Sequence, residues 1–319
     1  MKNAILFFVC LTFFSCSFDN SNPSVLPSYT GAVNEVVLVI DESLWSSEAG
    51  IILKDVLQAP IEGISWNEAS LDVVQIPSQA MSRLFETHRN LILVEKGTSS
   101  KFVSGSNLYS EGQYFAKITY KTQSDLLGIL KEYSPVVLHQ IQQKEKARIL
   151  SKMYFSSSFQ SLFDKYGYQL SLPKDYKLVS DTTSFSWLEY SPKDKELISG
   201  IFLYQLPIKH WPNATSLLEA RDSVLEQNVK GELEGSFMAL EPLYSAQKSY
   251  QDDGLNVRSL WKMENAFMGG PSITNFVLDS VKNVVFVTDA FLFNPGKNKR
   301  NDLQILQIIL ESSKKKHSN

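Results

Sequence analysis

Apolar and polar positions follow two rhythms along the chain. Val36–Ile40 (VVLVI), Leu71–Ile76 (LDVVQI) and Leu91–Val94 (LILV) are short aliphatic, largely β-branched runs and read as buried strands. Between the first two, LWSSEAGIILKDVLQ follows a cap at Asp41 or Ser43 and stops before Pro60, which predicts a helix. SQAMSRLFET predicts a shorter helix, KFVSGSNLYSEGQ a loop, and Tyr114–Tyr120 a fourth strand. Over residues 123–150 the spacing turns helical, with Leu126, Leu127, Leu130 and Tyr133 on one face. Ser134-Pro135 is expected to interrupt that helix, Ser as cap and Pro at the first position of a new segment. Val137, Leu138 and Ile141 continue inward, while Gln140, Gln142, Gln143, Lys144, Lys146 and Arg148 are expected on a solvated face.

The Ser-rich stretch 155–161 marks a change of character. Beyond it YQLSLPKDYKLVSD, SFSWLEYSP and ELISGIFLYQLP predict three successive strands, and TSLLEARDSVLEQNV an amphipathic helix capped by Thr215 or Ser216. MALEPLYSAQKSY, LNVRSLWKME, SITNFVLD and the nearly unbroken apolar run NVVFVTDAFLFN predict further strands, with Asp253-Gly254 as a hairpin turn. NDLQILQIILESS is a last helix. The fold class expected is therefore mixed α+β: an N-terminal α/β half with βαβ-like units, then a mainly antiparallel sheet covered by helices. The expected division is a signal peptide over 1–15, a tether over 16–32, an α/β domain over 33–160, an α+β domain over 161–313 and a basic tail over 314–319.

Composition narrows the setting more than the activity. Hydrophobic content of 43% and aromatic content of 12% are globular values. The net charge of −3 argues against nucleic acid, which takes a basic face. The start is more specific: Lys2, then an apolar run from Ala4 to Phe14 broken only by Thr12. That is the h-region of a signal peptide, too short for the ~20 residues of a membrane-spanning helix. Cys10 and Cys16 are the only cysteines, and Cys10 lies inside that peptide. A mature chain starting at Cys16 has no partner for a structural disulfide. After Cys16, SFDNSNPSVLPSYTGA reads as a tether; its sixteen residues reach roughly 55 Å extended and about 22 Å as a coil.

Small Ser15 directly before Cys16 resembles the lipobox of bacterial lipoproteins, with Phe13 where Leu is usual. The resemblance implies that Cys16 is lipidated and becomes the first mature residue, holding the chain to a membrane by several acyl chains. Ordinary secretion with a free thiol is the alternative. Further segments, NEVVLVIDESLW, Ala59-Pro60, LFETHRNLILV, LPKDYKL, ARDSV, EGSFM, LWKMENAFMGGP and NPGKNKR, together resemble the domain of unknown function 4837 family of Bacteroidetes lipoproteins, from about Val33 to the last helix. That resemblance implies a cell-envelope lipoprotein and carries over no catalytic residue. The second half is also similar to PsbP-like and Mog1-like sandwiches, a likeness of fold alone.

No chemical motif follows. His88, His139, His210 and His317 lack metal-ligand spacing, and no nucleophile elbow or Gly-rich phosphate loop is present. No metal and no cofactor is expected. Three stretches are candidate functional positions. His88 and Arg89, at a helix-to-strand junction, could bind a carboxylate or phosphate, or simply bond the turn. Gly269-Gly270-Pro271 could bring backbone N–H groups to a ligand, or form a wide turn or bulge that lets Trp261 and its neighbours pack. Lys297, Lys299 and Arg300 stand just before a helix, where positive charge opposes the dipole and invites an anion. Arg221 on its helix is expected to reach a carboxylate on the sheet.

The functional expectation is a non-catalytic interaction or assembly module with an envelope protein partner. It would be held by a lipid at Cys16, at the periplasmic face of the outer membrane. The alternatives are an envelope hydrolase using His88 and Arg89, and a small-ligand binder.

Overall fold

A computed structural model describes residues 26–315, apart from 65, 155, 245, 252 and 253. The expected signal peptide, Cys16 and residues 316–319 lie outside the described residues. The first half alternates as its sequence rhythm demands: β1 (Glu35–Val39), α1 (Glu42–Trp45), α2 (Glu48–Leu57), β2 (Asp72–Ile76), α3 (Arg83–Glu86), β3 (Asn90–Lys96), β4 (Lys101–Ser106), β5 (Tyr114–Tyr120) and α4 (Gln123–Leu150). The five strands form one sheet in the order β2-β1-β3-β5-β4, parallel except for β4. Its α2/α4 face carries the core of Leu38, Leu53, Ile92, Ala116, Leu130 and Ile141.

Three local expectations change. The first predicted helix is two, because Ser47 caps a new one by accepting from the Ala49 N–H. Gly50 permits the tight join, since a Cβ there would lie 1.8 Å from the Trp45 carbonyl oxygen. The predicted loop after β3 holds the edge strand β4, whose exposed face hides its pattern. Ser134-Pro135 does not break the helix: α4 runs unbroken over 28 residues from a Thr122–Asp125 capping box, with Pro135 inside it. Pro135 forfeits one backbone bond, and packing of the long apolar stripe holds the turn.

The second half comprises α5 (Gln160–Tyr166), β6 (Tyr168–Gln169), β7 (Lys177–Asp181), β8 (Phe185–Tyr190), β9 (Ile198–Pro207), α6 (Ala214–Asn228), β10 (Met238–Leu240), β11 (Gln247–Gln251), β12 (Gly254–Met263), β13 (Gly269–Asp279), β14 (Val284–Phe293), α7 (Arg300–Glu311) and β15 (Lys314–Lys315). An antiparallel sheet runs β10-β12-β13-β14-β9-β8-β7, and β11 also pairs with β12. The mixed α+β class is thus the observed one. Asn213, rather than Thr215 or Ser216, caps α6 by accepting from the Ser216 N–H. One sheet face packs on α6 through Leu217, Leu225, Trp261 and Phe276; the other packs on α5 and α7 through Phe163, Phe286, Leu303 and Leu306. Arg221 of α6 reaches Asp289 of β14 at 2.8 Å, both fully buried. The Asp289 carboxylate holds the guanidinium above its ordinary pKa against the opposing effect of burial.

Helix α7 joins the two halves. Lys146 of α4 pairs with Glu311 at 2.6 Å, and Asn34 donates to Asn301 at 2.9 Å and to Gln304 at 2.7 Å. The basic cluster at its start belongs to this joint.

Candidate functional site

The apolar stripe of α4 runs Leu126, Leu130, Ser134, Val137, Ile141, and the same spacing next delivers Glu145 and Arg148. Both are buried, so Arg148 leaves the solvated face on which it was expected. They meet His88, Arg89 and Asn90 at the entry to β3. Glu145, with no exposed side-chain surface, accepts from Arg89 at 2.7 Å, Arg148 at 2.6 Å and Asn90 at 2.9 Å. Arg148 also donates to the Asn90 side-chain oxygen at 3.0 Å and to the carbonyls of Arg89 and Gly112, each at 2.8 Å. Burial pulls the Arg148 guanidinium down from its ordinary pKa, and Glu145 acts against that shift. His88 lies 2.7 Å from Glu35 through Nε2 and 3.0 Å from the Asn90 carbonyl through Nδ1.

A strap covers this cluster. Residues 26–32, expected within a free tether, are docked on the body. The Thr30 N–H donates to the Thr87 carbonyl and the Arg89 N–H to the Thr30 carbonyl, each at 2.9 Å; the Glu111 N–H donates to the Pro27 carbonyl at 2.8 Å. Gly31, at φ +94°, presses on the His88 ring, where a Cβ would stand 2.1 Å from Nε2. The Tyr29 ring lies against both guanidiniums, with Cζ of Arg89 at 5.1 Å and of Arg148 at 4.9 Å. The Nε atoms of these two arginines have no hydrogen-bond partner among the described residues. The His88–Glu35 pair is of the kind acid–base chemistry uses, but it sits under Gly31 with His88 only 5% exposed. This arrangement clamps backbone; it does not present a reactive group.

The second candidate also turns inward. Lys299 precedes the first turn of α7, and the anion at that helix start is the chain's own Glu68. Its carboxylate accepts from the Lys299 N–H at 2.7 Å and the Arg300 N–H at 2.7 Å. Arg300 adds a pair with Asp72 at 2.5 Å. The Lys299 ammonium donates to the carbonyls of Asn294 and Lys297 and lies over the Trp66 ring at 4.6 Å. Burial lowers its pKa. Lys297 is exposed and stands apart.

Gly269-Gly270-Pro271 forms neither a ligand loop nor a turn. The residues lie within β13, neither glycine at positive φ, paired with Lys262, Trp261 and Leu260. A Cβ on Gly270 would be 2.1 Å from the Leu292 carbonyl, the same oxygen that accepts from the Trp261 indole at 3.2 Å. The glycine makes room for that indole. Glu145, Arg148, Glu35, Asn90, Glu68, Asp72 and Tyr29 were not singled out from sequence. For Glu145 and Arg148 the readable signal was charge on the continued apolar stripe.

Residues 156–312 match the family described as Domain of unknown function (DUF4837), and residues 29–154 match a second, described as Domain of unknown function (DUF8532). The first-half segments that resembled the former family therefore fall in the latter match. No curated protein matches the chain. Among solved structures, the Ran-binding protein Mog1p of Saccharomyces cerevisiae matches 47% of this chain and 90% of its own at 10% identity, with a TM-score of 0.33. LpqN, involved in cell envelope biogenesis of Mycobacterium tuberculosis, matches 46% and 81% at 12% identity, with 0.28. A STAR-related lipid transfer protein fragment from Xanthomonas axonopodis matches 44% and 96% at 10% identity, with 0.25. At these scores the likenesses carry no functional weight.

Proposed function

From a chain whose residues 156–312 match the DUF4837 family, we propose a non-catalytic, lipid-anchored envelope module that binds a protein partner. The observation that carries this reading is the docked strap. A lipid at Cys16 would pull on residues 17–25 and then on Leu26–Ala32, which the body grips by backbone bonds and by Tyr29 against two buried arginines. From Cys16 to Leu26 the chain extends at most about 35 Å, shorter than a free tether to residue 32 allows. The body would thus be held close to the membrane in a restricted set of orientations. The clamp commits His88, Arg89 and Glu145 to structural partners, which favours interaction over hydrolysis.

Leu233 and Phe267 supply exposed apolar anchors for a partner, on two loops joined by the Asn265 side chain donating to the Gly235 carbonyl at 3.3 Å. The test is radiolabelled palmitate incorporation with Cys16→Ala as control, followed by a photocrosslinker at position 267 in cells. Labelling that requires Cys16, with one reproducible envelope protein captured, is expected. Equal labelling of the two chains, or capture of nothing beyond background, would overturn the reading.

A further inference from the structure

Between α7 and the outer strands of the large sheet lies a groove of about 630 Å³, within the size range of small-molecule sites. Its floor is crossed by a polar row. Asn256 of β12 stands directly opposite Asn275 of β13, and Asn275 directly opposite Thr288 of β14. The neighbouring rows on this face are different: Arg258–Ile273–Ala290 on one side, Gly254–Val277–Phe286 on the other. Ile273, Ala290 and Phe286 belong to the core under α7, so along β13 and β14 the polar row interrupts an apolar surface.

The row is incompletely satisfied. Asn256 donates to the Asn275 side-chain oxygen, which uses one donor and one acceptor of the two amides and leaves each with further hydrogen-bonding capacity. Thr288 is 1% exposed and its hydroxyl has no partner among the described residues. Ser313, which lines the same groove from the end of α7, likewise has a hydroxyl without a partner among the described residues. Buried polar groups in this condition are uncommon and cost free energy unless something else bonds them. An acyl chain in the groove would leave all of them unpaired. The charged groups at the groove, Arg258, Glu311 and Lys315, are of mixed sign, and Arg258 already donates to the Glu62 carbonyl and to Gln307. The complement is therefore uncharged and carries many hydroxyls that both donate and accept.

We propose that this groove binds an uncharged carbohydrate segment across the Asn256–Asn275–Thr288 row. Strand spacing of about 4.8 Å sets the three side chains roughly one sugar ring apart, so a segment of about two rings spans them. Donor–acceptor pairs on the amides match vicinal hydroxyls, and the Thr288 and Ser313 hydroxyls gain the partners they lack. The inference goes beyond the anchored module above and stands independently of lipidation.

The experiment is calorimetric titration of the purified full chain with maltose, cellobiose, mannobiose and N,N′-diacetylchitobiose. Saturable binding of at least one disaccharide is expected, weakened at least tenfold by Asn275→Leu and about fivefold by Thr288→Val. Thr288→Val is the diagnostic variant: it removes an unpaired hydroxyl at nearly constant shape, so its melting temperature should be unchanged or higher while binding falls. Val179→Ser, on the exposed β7 at the opposite edge of the large sheet and outside the groove, should bind as the parent does. Absence of saturable binding for all four sugars would overturn the proposal, as would equal binding by parent and Thr288→Val. A Thr288→Val chain that melts markedly lower would overturn it too, since the hydroxyl would then have a structural partner. Failure here with palmitate labelling intact would leave the anchored-module reading standing.

Discussion

Replacing Glu145 with alanine tests the clamp most directly. The carboxylate has no exposed surface and bonds two guanidiniums and one amide at 2.6–2.9 Å. Its removal leaves Arg89 and Arg148, both buried, without their shared counter-charge. Summing three charge-assisted hydrogen bonds at about 1.5–3 kcal/mol each overstates the loss, because the bonds are not independent. Breaking a buried pair by deleting one member costs about 3–5 kcal/mol, and that is the expected range. It is a large share of a typical stability of about 5–15 kcal/mol. With a urea slope of about 1–3 kcal/mol per molar, the midpoint of the first-half transition should fall by more than about 1 M.

The second readout is chymotryptic cleavage after Tyr29, which should accelerate as the strap lifts from the two arginines. Glu145→Gln keeps the shape and loses the charge, so it should fall between parent and alanine on both measures. If Glu145→Ala costs less than about 1 kcal/mol and leaves cleavage after Tyr29 unchanged, the cluster does not hold the strap. A loss that small is characteristic of exposed pairs.

Other perturbations probe separate joints. Gly270→Ala drives a Cβ into the Leu292 carbonyl and should cost about 1–3 kcal/mol by thermal melting, with altered Trp261 fluorescence; a neutral melt would show that the β13–β14 approach is loose. Glu68→Ala removes the anion from the start of α7 and should cost about 1–2 kcal/mol. It should also split urea unfolding into separate transitions of the two halves, and unchanged coincident transitions would argue against α7 as the joint. At Asp279 burial raises the carboxyl pKa, but hydrogen bonds from the Lys315 ammonium and the Lys282 N–H more than reverse this, so the folded value lies below the ordinary one. The stability from this contact is complete above the unfolded pKa, about 3.9, and is lost as pH falls through the lower folded value. Asp279→Asn should therefore flatten the acid limb of stability against pH; an identical limb would assign acid sensitivity elsewhere.

What could be read in advance divides along physical lines. Strands β1, β3 and β14 were legible because each is buried on both faces and reads as a continuous apolar run. Strand β4 was not, because an edge strand with Lys101, Val103 and Ser106 exposed has neither continuity nor alternation. The continuity of α4 through Pro135 was misjudged because the proline penalty is local, whereas the stripe that outweighs it extends through Ile141 and beyond. The candidate residues show the same division. His88, Arg89, Lys299 and Arg300 were recognised as charge in places that demand a partner, and each found a carboxylate within the chain: Glu35, Glu145, Glu68 (on the Lys299 backbone N–H, the ammonium going to two carbonyls) and Asp72. Those partners lie 53, 56, 231 and 228 residues away. Local rules identify an unsatisfied charge and say nothing about a partner at that separation. The polar row of Asn256, Asn275 and Thr288 was invisible for a related reason: each is a single polar residue in a strand until register places the three side by side. The clamp and the groove therefore differ in kind. In the clamp tertiary structure satisfies the anticipated charges with strap, helix and sheet, whereas in the groove it assembles hydroxyl and amide capacity that the described residues take up only in part.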